Sequence, residues 1–156
     1  MIAVLQRVYS ARVYADGVLS GEIDKGLYIL LGVEKGDSDE DAVALADKIS
    51  RLRIFSDEYG KMNLSVNDIN GEVLVVSNFT LCANYAHGNR PDYLLSASAD
   101  EANELYESFV ALMKDRVRDV KTGCFGADMR TEMCTDGPVT IVMRSDVLLK
   151  RKVQKK

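Results

Sequence analysis

The fold of this chain is constrained most strongly by its hydrophobic periodicity, which is helical over only two stretches. Residues 37–53 place apolar side chains on one helical face, with acids in the first turn and Arg51 and Arg53 at the other end, as the helix dipole favours. A second helical stretch begins at Ser98, which forms a capping-box pattern with Glu101. The sequence therefore predicts two main α-helices. Their apolar stripes are Ala42, Leu45, Ala46, Ile49 and Leu52 in the first, and Ala102, Leu105, Tyr106, Phe109, Val110 and Met113 in the second.

Most of the remaining chain is predicted to form short strands. Residues 2–14 alternate loosely between apolar and polar, and Asp16-Gly17 is a tight-turn signal for a hairpin into residues 18–23. Gly26 opens the continuous apolar run LYILLGV, whose length favours a buried central strand. Because strands and helices do not alternate strictly, we expect one α+β domain over residues 1–149, with a curved, barrel-like, mixed or antiparallel sheet. Further strands are expected at residues 53–55, 62–64, 72–81, 120–122, 129–133 and 139–143.

Composition is that of an ordinary soluble domain. The chain has 156 residues, of which 47% are hydrophobic and 28% charged. No apolar run approaches the roughly 18 residues needed to span a bilayer, and the N-terminal stretch MIAVLQRV lacks the layout of a signal peptide. We therefore expect a cytoplasmic protein without a membrane partner.

The charge pattern limits how the chain could contact nucleic acid. Its net charge is −4, so no general basic surface is expected, and DNA is not an expected partner. The exception is the segment KRKVQKK over residues 150–156, which is basic and holds no acid. A disordered, solvated tail is the simpler expectation, and local attraction to RNA phosphates is the alternative.

The cysteines and the single histidine, His87, offer little for metal or thiol chemistry. The cysteine spacing is wide and irregular, whereas a disulfide framework needs an even set and a zinc site needs close pairs. We therefore expect buried or half-buried thiols, no metal site and no cofactor. The three cysteines are Cys82, Cys124 and Cys134.

Polar side chains follow the apolar run VLVV in the segment Ser77-Asn78-Phe79-Thr80-Leu81. Hydroxyls and amides at strand ends often only satisfy nearby backbone groups, which is the simpler interpretation. The same side chains could also donate hydrogen bonds to an ester carbonyl, and the phenylalanine could stack on a base. The segment alone leaves both interpretations open.

A second unusual segment is TDGPVT, over residues 135–140. Gly-Pro between two strands is normally a turn. An X-Pro bond is also the one place where a cis peptide costs little, roughly 0.5–1 kcal/mol. A cis Gly137-Pro138 bond would turn two backbone carbonyls the same way, an arrangement that could hold an ammonium group.

Several motifs in order resemble the D-aminoacyl-tRNA deacylase family, also described as D-tyrosyl-tRNA(Tyr) deacylases. The resemblance covers essentially residues 1–145 and leaves only the basic tail outside. It implies a homodimer with an active site at each end of the interface, and hydrolysis of the ester of D-aminoacyl-tRNA without a cofactor. Glycyl-tRNA, including glycine mischarged on tRNA-Ala, is a further implied substrate. The motifs are MIAVLQRV, GLYILLGV, RIFSDEYGKMNLS, SNFTL, GNRP, TGCFGADM and DGPVT.

The resemblance also assigns roles to residues. SNFTL is similar to the family's Ser-Gln-x-Thr motif, which makes Ser77, Asn78 and Thr80 the catalytic candidates and places Phe79 against the terminal adenosine. Attack by water with backbone N–H groups stabilising the oxyanion is the expected mechanism, helped by the substrate's 2′-hydroxyl. Thr80 as a covalent nucleophile is the alternative, although no base for it is visible.

TDGPVT is similar to the family's Asn-x-Gly-Pro-x-Thr motif, with Thr135 at its start. The resemblance implies that the carbonyls of Gly137 and Pro138 reach into the partner's pocket and hold the substrate's α-amino group, while Arg7 braces the loop. Rigid backbone would then exclude an L side chain, and D-residues and glycine would pass.

The sequence departs from the family at three places. Asn78 stands for glutamine, Thr135 for asparagine, and Asp92-Tyr93 follows GNRP in place of serine and phenylalanine. A displacement of ~1 Å in a positioning site can reduce a rate about a hundredfold. A catalytically weakened, dimeric tRNA-binding homologue is therefore one alternative, and a hydrolase of small D-amino-acid esters or peptides is another.

Overall fold

The computed structural model describes residues 1–150, so residues 151–156 of the predicted tail lie outside the described part of the chain. An α+β architecture in one domain is confirmed, and the boundary at residue 149 stays a prediction. The elements in order are β1 (Ile2–Ala15), β2 (Val18–Ile23), β3 (Gly26–Gly32), α1 (Asp39–Ser50), β4 (Phe55–Ser56), β5 (Met62–Leu64), β6 (Glu72–Ser77), a 3₁₀ turn (Phe79–Cys82), α2 (Ala99–Lys114), β7 (Val120–Thr122), β8 (Met129–Arg144) and α3 (Ser145–Leu148).

Six of the strands form one mixed sheet around the long strand β1. β8 runs antiparallel along β1 from Ile2 to Ala15. On the opposite edge, the first half of β1 pairs with β3 and the second half with β2, both antiparallel. β3, β6 and β7 continue the sheet in parallel. The Ser20 hydroxyl of β2 donates to the Thr122 carbonyl of β7 at 3.3 Å, so the sheet curls almost into a closed barrel, as predicted.

Hydrophobic clusters lie on both faces of this sheet. The larger cluster joins the sheet to α1 and α2, and the smaller fills the inside of the curve. In β3, Leu27 and Ile29 belong to the larger cluster and Tyr28 to the smaller. Strands buried on both faces have continuous apolar sequences, which explains the run LYILLGV.

Both predicted helices are present, and the first is shorter than expected. α2 begins after Ser98, whose hydroxyl and Glu101 form the predicted capping box. α1 spans Asp39–Ser50 rather than residues 37–53. Asp37 instead accepts a hydrogen bond from the Met1 ammonium at 2.6 Å. Arg53 lies beyond the helix, where its Nε donates to the Asn63 carbonyl at 2.7 Å.

Three strand predictions are corrected. The strand expected over residues 72–81 ends at Ser77, because the chain turns into the 3₁₀ helix. The strand expected at residues 53–55 is observed at Phe55–Ser56. The two strands expected at 129–133 and 139–143 are one strand, β8, so Gly-Pro does not form a turn between them. The additional helix α3 has only four residues, too few for a periodic signal.

β8 departs from regular pairing opposite Arg7. Gln6 pairs with Thr140 and Val8 with Thr135, so four residues of β8, 136–139, lie opposite a single residue of β1. The extra residues bulge out of the ladder and carry the Gly137-Pro138 peptide bond, which is cis. We call residues 136–139 the Gly-Pro bulge.

The three cysteines are free thiols in different surroundings. Cys82 is buried, whereas Cys124 and Cys134 are exposed, so the expectation of buried or half-buried thiols holds only for Cys82. Burial, with Glu34 and Asp37 nearby, raises the pKa of Cys82 to about 11. Its thiol therefore stays protonated at neutral pH and packs as a core side chain.

Candidate active site

A cavity of about 500 Å³ opens between the ends of β3 and β6, the start of α2 and residues 125–129. Its wall is mainly apolar, and of the described residues that line it none is histidine, cysteine, an acid or a base. The Tyr106 hydroxyl is occupied, because it donates to the Val75 carbonyl at 3.0 Å. A catalytic triad therefore cannot be assembled from this wall. Its polar members include Ser77, Asn78, Tyr93 and Ser96.

The polar segment after β6 is held in place by β3 and by its own side chains. The Asn78 backbone N–H donates to the Leu31 carbonyl at 2.8 Å. Asn78 Oδ1 then accepts hydrogen bonds from the Thr80 backbone N–H at 3.2 Å and from the Thr80 hydroxyl at 2.5 Å. Asn78 Oδ1 thus accepts from a nearby backbone N–H, as the simpler interpretation of this segment expected. Thr80 is exposed and is not part of the cavity wall.

Gly32 explains how closely this segment can approach β3. A Cβ atom at Gly32 would lie 3.0 Å from Leu81 Cβ and 3.1 Å from the Asn78 carbonyl oxygen. Both distances are shorter than ordinary van der Waals contact, so a side chain here would displace the turn. Glycine at this position therefore lets the turn that starts at Asn78 pack directly against β3.

The segment also carries hydrogen-bond donors that have no partner among residues 1–150. Within residues 1–150, no hydrogen bond involves the Phe79 backbone N–H or the Ser77 hydroxyl. Ser77 is half-buried and lines the cavity. Donors of this kind can stabilise an oxyanion that forms next to them.

Phe79 forms the aromatic rim of the cavity. Its side chain is 57% exposed. The ring meets Tyr93 edge to face, with centroids 4.9 Å apart and planes at 73°. In the sequence, Tyr93 stood out only as a departure from the family pattern. Its contact with Phe79 could not be predicted from the positions of the two residues along the chain.

Asp92 positions the loop that brings Tyr93 to the rim. Asn84 and Asp92 exchange backbone hydrogen bonds at 2.8 and 2.9 Å, and Asn84 Nδ2 donates to Asp92 Oδ2 at 2.9 Å. Asp92 Oδ1 also accepts from the Leu94 N–H at 3.1 Å. Asp92 thus closes the loop on Asn84, and the next residue, Tyr93, reaches the rim beside Phe79.

The Gly-Pro bulge is held by Arg7. Arg7 Nε donates to the Asp136 carbonyl at 3.1 Å, and its Nη2 donates to Asp136 Oδ1 at 3.1 Å. Nη1 donates to the Ile54 carbonyl at 2.7 Å. The side chains of Arg7 and Asp136 are only 10% and 17% exposed, so this ion pair is largely shielded from water.

Tyr9 is a second neighbour of Asp136 that sequence reasoning missed. A hydrogen bond to the Asp136 carboxylate, followed by the negative charge of that carboxylate, raises the pKa of the Tyr9 phenol. Arg7 and Tyr9 flank Val8, and the pairing of β1 with β8 shifts register on both sides of Val8. The sequence shows that the two residues are near each other along the chain, but it does not show their shared partner on β8.

The two polar segments are not brought together within one chain. Ser77, Asn78 and Phe79 line the cavity, and neither the Gly-Pro bulge, Thr135 nor Arg7 belongs to its wall. Thr135 is exposed and pairs with Val8. A site built from both segments would therefore need a second chain.

Residues 1–150 contain no group of three histidine, cysteine or acidic side chains placed to share a metal ion. None of their helices combines the length and apolarity that crossing a membrane requires.

The chain is similar to known proteins over almost its whole length. The sequence profile of the family described as D-Tyr-tRNA(Tyr) deacylase matches residues 4–144. A D-aminoacyl-tRNA deacylase of Geobacter metallireducens is 50% identical over 145 residues, which cover 93% of this chain and 96% of that protein. One of Thermosipho africanus is 52% identical over 145 residues, with coverages of 93% and 97%.

Two solved structures share the fold of this chain. A structure named c-Myc DNA Unwinding Element Binding Protein superposes with a TM-score of 0.87 at 38% identity, covering 92% of this chain and 98% of that one. A structure described as a probable eukaryotic D-amino acid tRNA deacylase has a TM-score of 0.79 at 13% identity, covering 91% and 97%, and shows likeness of fold alone. The profile match and the identities near one half establish that this chain belongs to the D-Tyr-tRNA(Tyr) deacylase family.

Proposed function

We propose that this protein hydrolyses the ester that joins a D-amino acid to the 3′-terminal ribose of tRNA. The observation that carries the proposal is the cavity itself, which has unpaired hydrogen-bond donors, an aromatic rim and no acid or base in its described wall. An aminoacyl ester is already activated, so placing a water molecule and stabilising an oxyanion can suffice for its hydrolysis. We assign this task to Ser77, Asn78 and the Phe79 N–H, which lie at the cavity.

Phe79 is the proposed contact for the terminal adenosine. An exposed ring at the rim can stack on a base, which is worth roughly 1–3 kcal/mol. Tyr93 holds that ring from the side through the edge-to-face contact. The apolar wall behind the rim then suits the aminoacyl group and the ribose.

We further propose that the active unit is a homodimer in which the Gly-Pro bulge completes the partner's site. In support, β8 is an edge strand that pairs only with β1 among the described residues, and it exposes Met133 and Val142. A long, unprotected edge with apolar side chains favours association with a second copy. The carbonyls of Gly137 and Pro138 would accept hydrogen bonds from the α-ammonium of the substrate.

Arg7 and Thr135 have supporting roles in this proposal. Arg7 braces the bulge through Asp136, and Thr135 anchors the segment beside it by pairing with Val8. A rigid bulge leaves no room for an L side chain, whereas a D side chain or a hydrogen points elsewhere. Glycyl-tRNA, including glycine mischarged on tRNA-Ala, would therefore be a substrate, and the proposed location is the cytoplasm.

Complementation between two defective variants tests this function and the shared site together. Phe79→Ala damages the cavity and Arg7→Met damages the bulge, so each homodimer is expected to hydrolyse D-tyrosyl-tRNA poorly. A mixed dimer would join the intact cavity of the Arg7→Met chain to the intact bulge of the Phe79→Ala chain. We therefore expect mixing after co-refolding to restore part of the wild-type rate, measured as tyrosine released from D-tyrosyl-tRNA.

The outcomes separate the alternatives. No restoration, with mixed dimers present and the wild type active, would contradict the shared site. Tight binding of D-tyrosyl-tRNA by the wild type without release would favour a weakened tRNA-binding homologue. Equal rates on D-tyrosyl-tRNA and on a simple D-tyrosine ester would favour a hydrolase of small esters.

A further inference from the structure

Aromatic side chains continue from the rim of the cavity onto the neighbouring loop. Phe79 meets Tyr93 with ring centroids 4.9 Å apart, and both line the cavity. Tyr85 and Tyr93 each directly follow one member of the antiparallel bridge between Asn84 and Asp92. Residues placed in this way are diagonal neighbours on one face of the pair, about 7–8 Å apart. Tyr85 is 79% exposed and is not part of the cavity wall, so the row of rings starts at the cavity and ends outside it.

The backbone beside Tyr85 is held by the side chain of Asn84. Asn84 Oδ1 accepts from the Ala86 N–H at 3.2 Å, and Asn84 Nδ2 donates to Asp92 Oδ2 at 2.9 Å. Both ends of this amide are therefore used to fix the start of the loop. A surface that is ordered in advance loses less conformational entropy when it binds a ligand. The exposed ring of Tyr85 is thus presented by a preorganised backbone.

The loop over residues 85–91 adds positive charge to this aromatic surface. Its sequence, YAHGNRP, holds no acid, and Arg90 is its one permanent cation. Among residues 1–150, Arg90 has no acidic partner within ion-pair distance. Exposed rings beside a free cation are typical of surfaces that bind single-stranded nucleic acid, where the rings stack on bases and the cations face phosphates.

We propose that Tyr85 and Arg90 bind the unpaired nucleotides that precede the terminal adenosine of tRNA. Tyr85 stacks on a base, and Arg90 contacts a phosphate. The inference rests on the proposed hydrolysis and extends the substrate contact beyond the single nucleotide placed at Phe79. The 3′ end of tRNA is a single strand, so its bases are free to stack on exposed rings. Since every base has a face that can stack, this contact does not depend on which tRNA carries the amino acid.

Two small substrates separate this contact from the cavity. The 3′-D-tyrosyl ester of adenosine ends at the nucleotide placed at Phe79, whereas the D-tyrosyl ester of the trinucleotide CCA adds the two preceding nucleotides. We expect the wild type to have a KM about tenfold lower for the trinucleotide ester. Tyr85→Ala should raise that KM to the value for the adenosine ester, which itself stays as in the wild type. Tyr85→Phe keeps the ring and should keep the tenfold difference.

Tyr59→Ala is the matched control for loss of an exposed ring. Tyr59 is also 79% exposed, and it lies on the turn between β4 and β5. Its removal should leave the KM for both esters unchanged.

Arg90→Met tests the phosphate contact through its dependence on salt. Each phosphate of a single strand that a protein neutralises contributes about 0.7 to the slope of log affinity against log salt concentration. We therefore expect the slope for uncharged tRNA to become shallower by about 0.7 in Arg90→Met. Arg51→Met, which changes an exposed arginine at the end of α1, should keep the wild-type slope. An unchanged slope in Arg90→Met would remove Arg90 from the proposed contact.

The outcomes that oppose the inference differ from those that oppose the function. Equal wild-type KM values for the two esters, or a Tyr85→Ala KM for the trinucleotide ester within twofold of wild type, would overturn it. A changed oligomeric state in Tyr85→Ala with KM unchanged would assign the ring to a protein contact instead. A wild type that releases nothing from D-tyrosyl-tRNA would contradict the hydrolase function. The affinity of Tyr85→Ala for uncharged tRNA would then still test the contact, with a loss of about tenfold expected.

Discussion

Arg7→Met is expected to destabilise the protein by about 3 kcal/mol, because it removes one partner of a largely buried ion pair. The substitution leaves the Asp136 carboxylate without its cation and the Ile54 carbonyl without the donor now 2.7 Å away. The Gly-Pro bulge would lose its brace, so D-tyrosyl-tRNA hydrolysis should fall by about 100-fold. Urea denaturation measures the first effect, and kcat/KM on D-tyrosyl-tRNA measures the second.

Arg12→Met is the matched control for this prediction. Arg12 lies on the same strand and pairs with Glu22 at 2.5 Å, but the two side chains are 52% and 44% exposed. An exposed ion pair contributes about 0–1 kcal/mol, so this variant should fold and react almost as the wild type does. Similar behaviour of the two variants would mean that burial of the Arg7–Asp136 pair is unimportant.

Phe79→Ala is expected to raise the KM for D-tyrosyl-tRNA by about 10- to 100-fold through loss of base stacking. The free energy of unfolding should change by no more than about 0.5 kcal/mol, since the side chain is mostly exposed. Steady-state kinetics and urea denaturation measure the two quantities.

Tyr59→Ala tests whether any exposed ring would have this effect. Tyr59 is 79% exposed and does not line the cavity. Its removal should leave KM unchanged. An unchanged KM in Phe79→Ala would contradict the placement of the adenosine at the rim.

Local signals predicted the regular elements of this fold well. The capping box at Ser98 and the apolar stripe after it define α2, and the run LYILLGV defines β3. These features depend on neighbours along the chain, which a sequence displays directly. The start of α1 was misplaced because Asp37 binds the distant Met1 ammonium instead of opening the helix.

Features that depend on pairing between distant strands could not be predicted in the same way. The Gly-Pro bulge exists because four residues of β8 lie opposite Arg7, and only the register with β1 reveals this. Tyr9 lies at a second register shift of the same strand pair, between Val8 and Ser10, and its proximity to Asp136 could not be predicted either. The 3₁₀ turn at Phe79 was missed for a different reason. The Asn78 side chain accepts from the Thr80 backbone N–H, and this local hydrogen bond competes with continuation of the strand.

The candidate site was located by resemblance rather than by periodicity. The residues of the polar segment after β6 indicated a possible site, but they were equally consistent with side chains that only satisfy nearby backbone groups. The structure adds the direction of the Asn78 amide, the contact between Phe79 and Tyr93, and the separation of the Gly-Pro bulge from the cavity of its own chain. Each of these requires three-dimensional contacts that spacing does not encode.

The most direct test of the account is release of amino acid from matched D-tyrosyl-tRNA, L-tyrosyl-tRNA and glycyl-tRNA by the purified protein without added metal. We expect rapid release from the D and glycyl forms, with the L form spared. Release from the L form at a comparable rate would contradict selection by a rigid bulge, and release from none of the three by an intact dimer would contradict the hydrolase function.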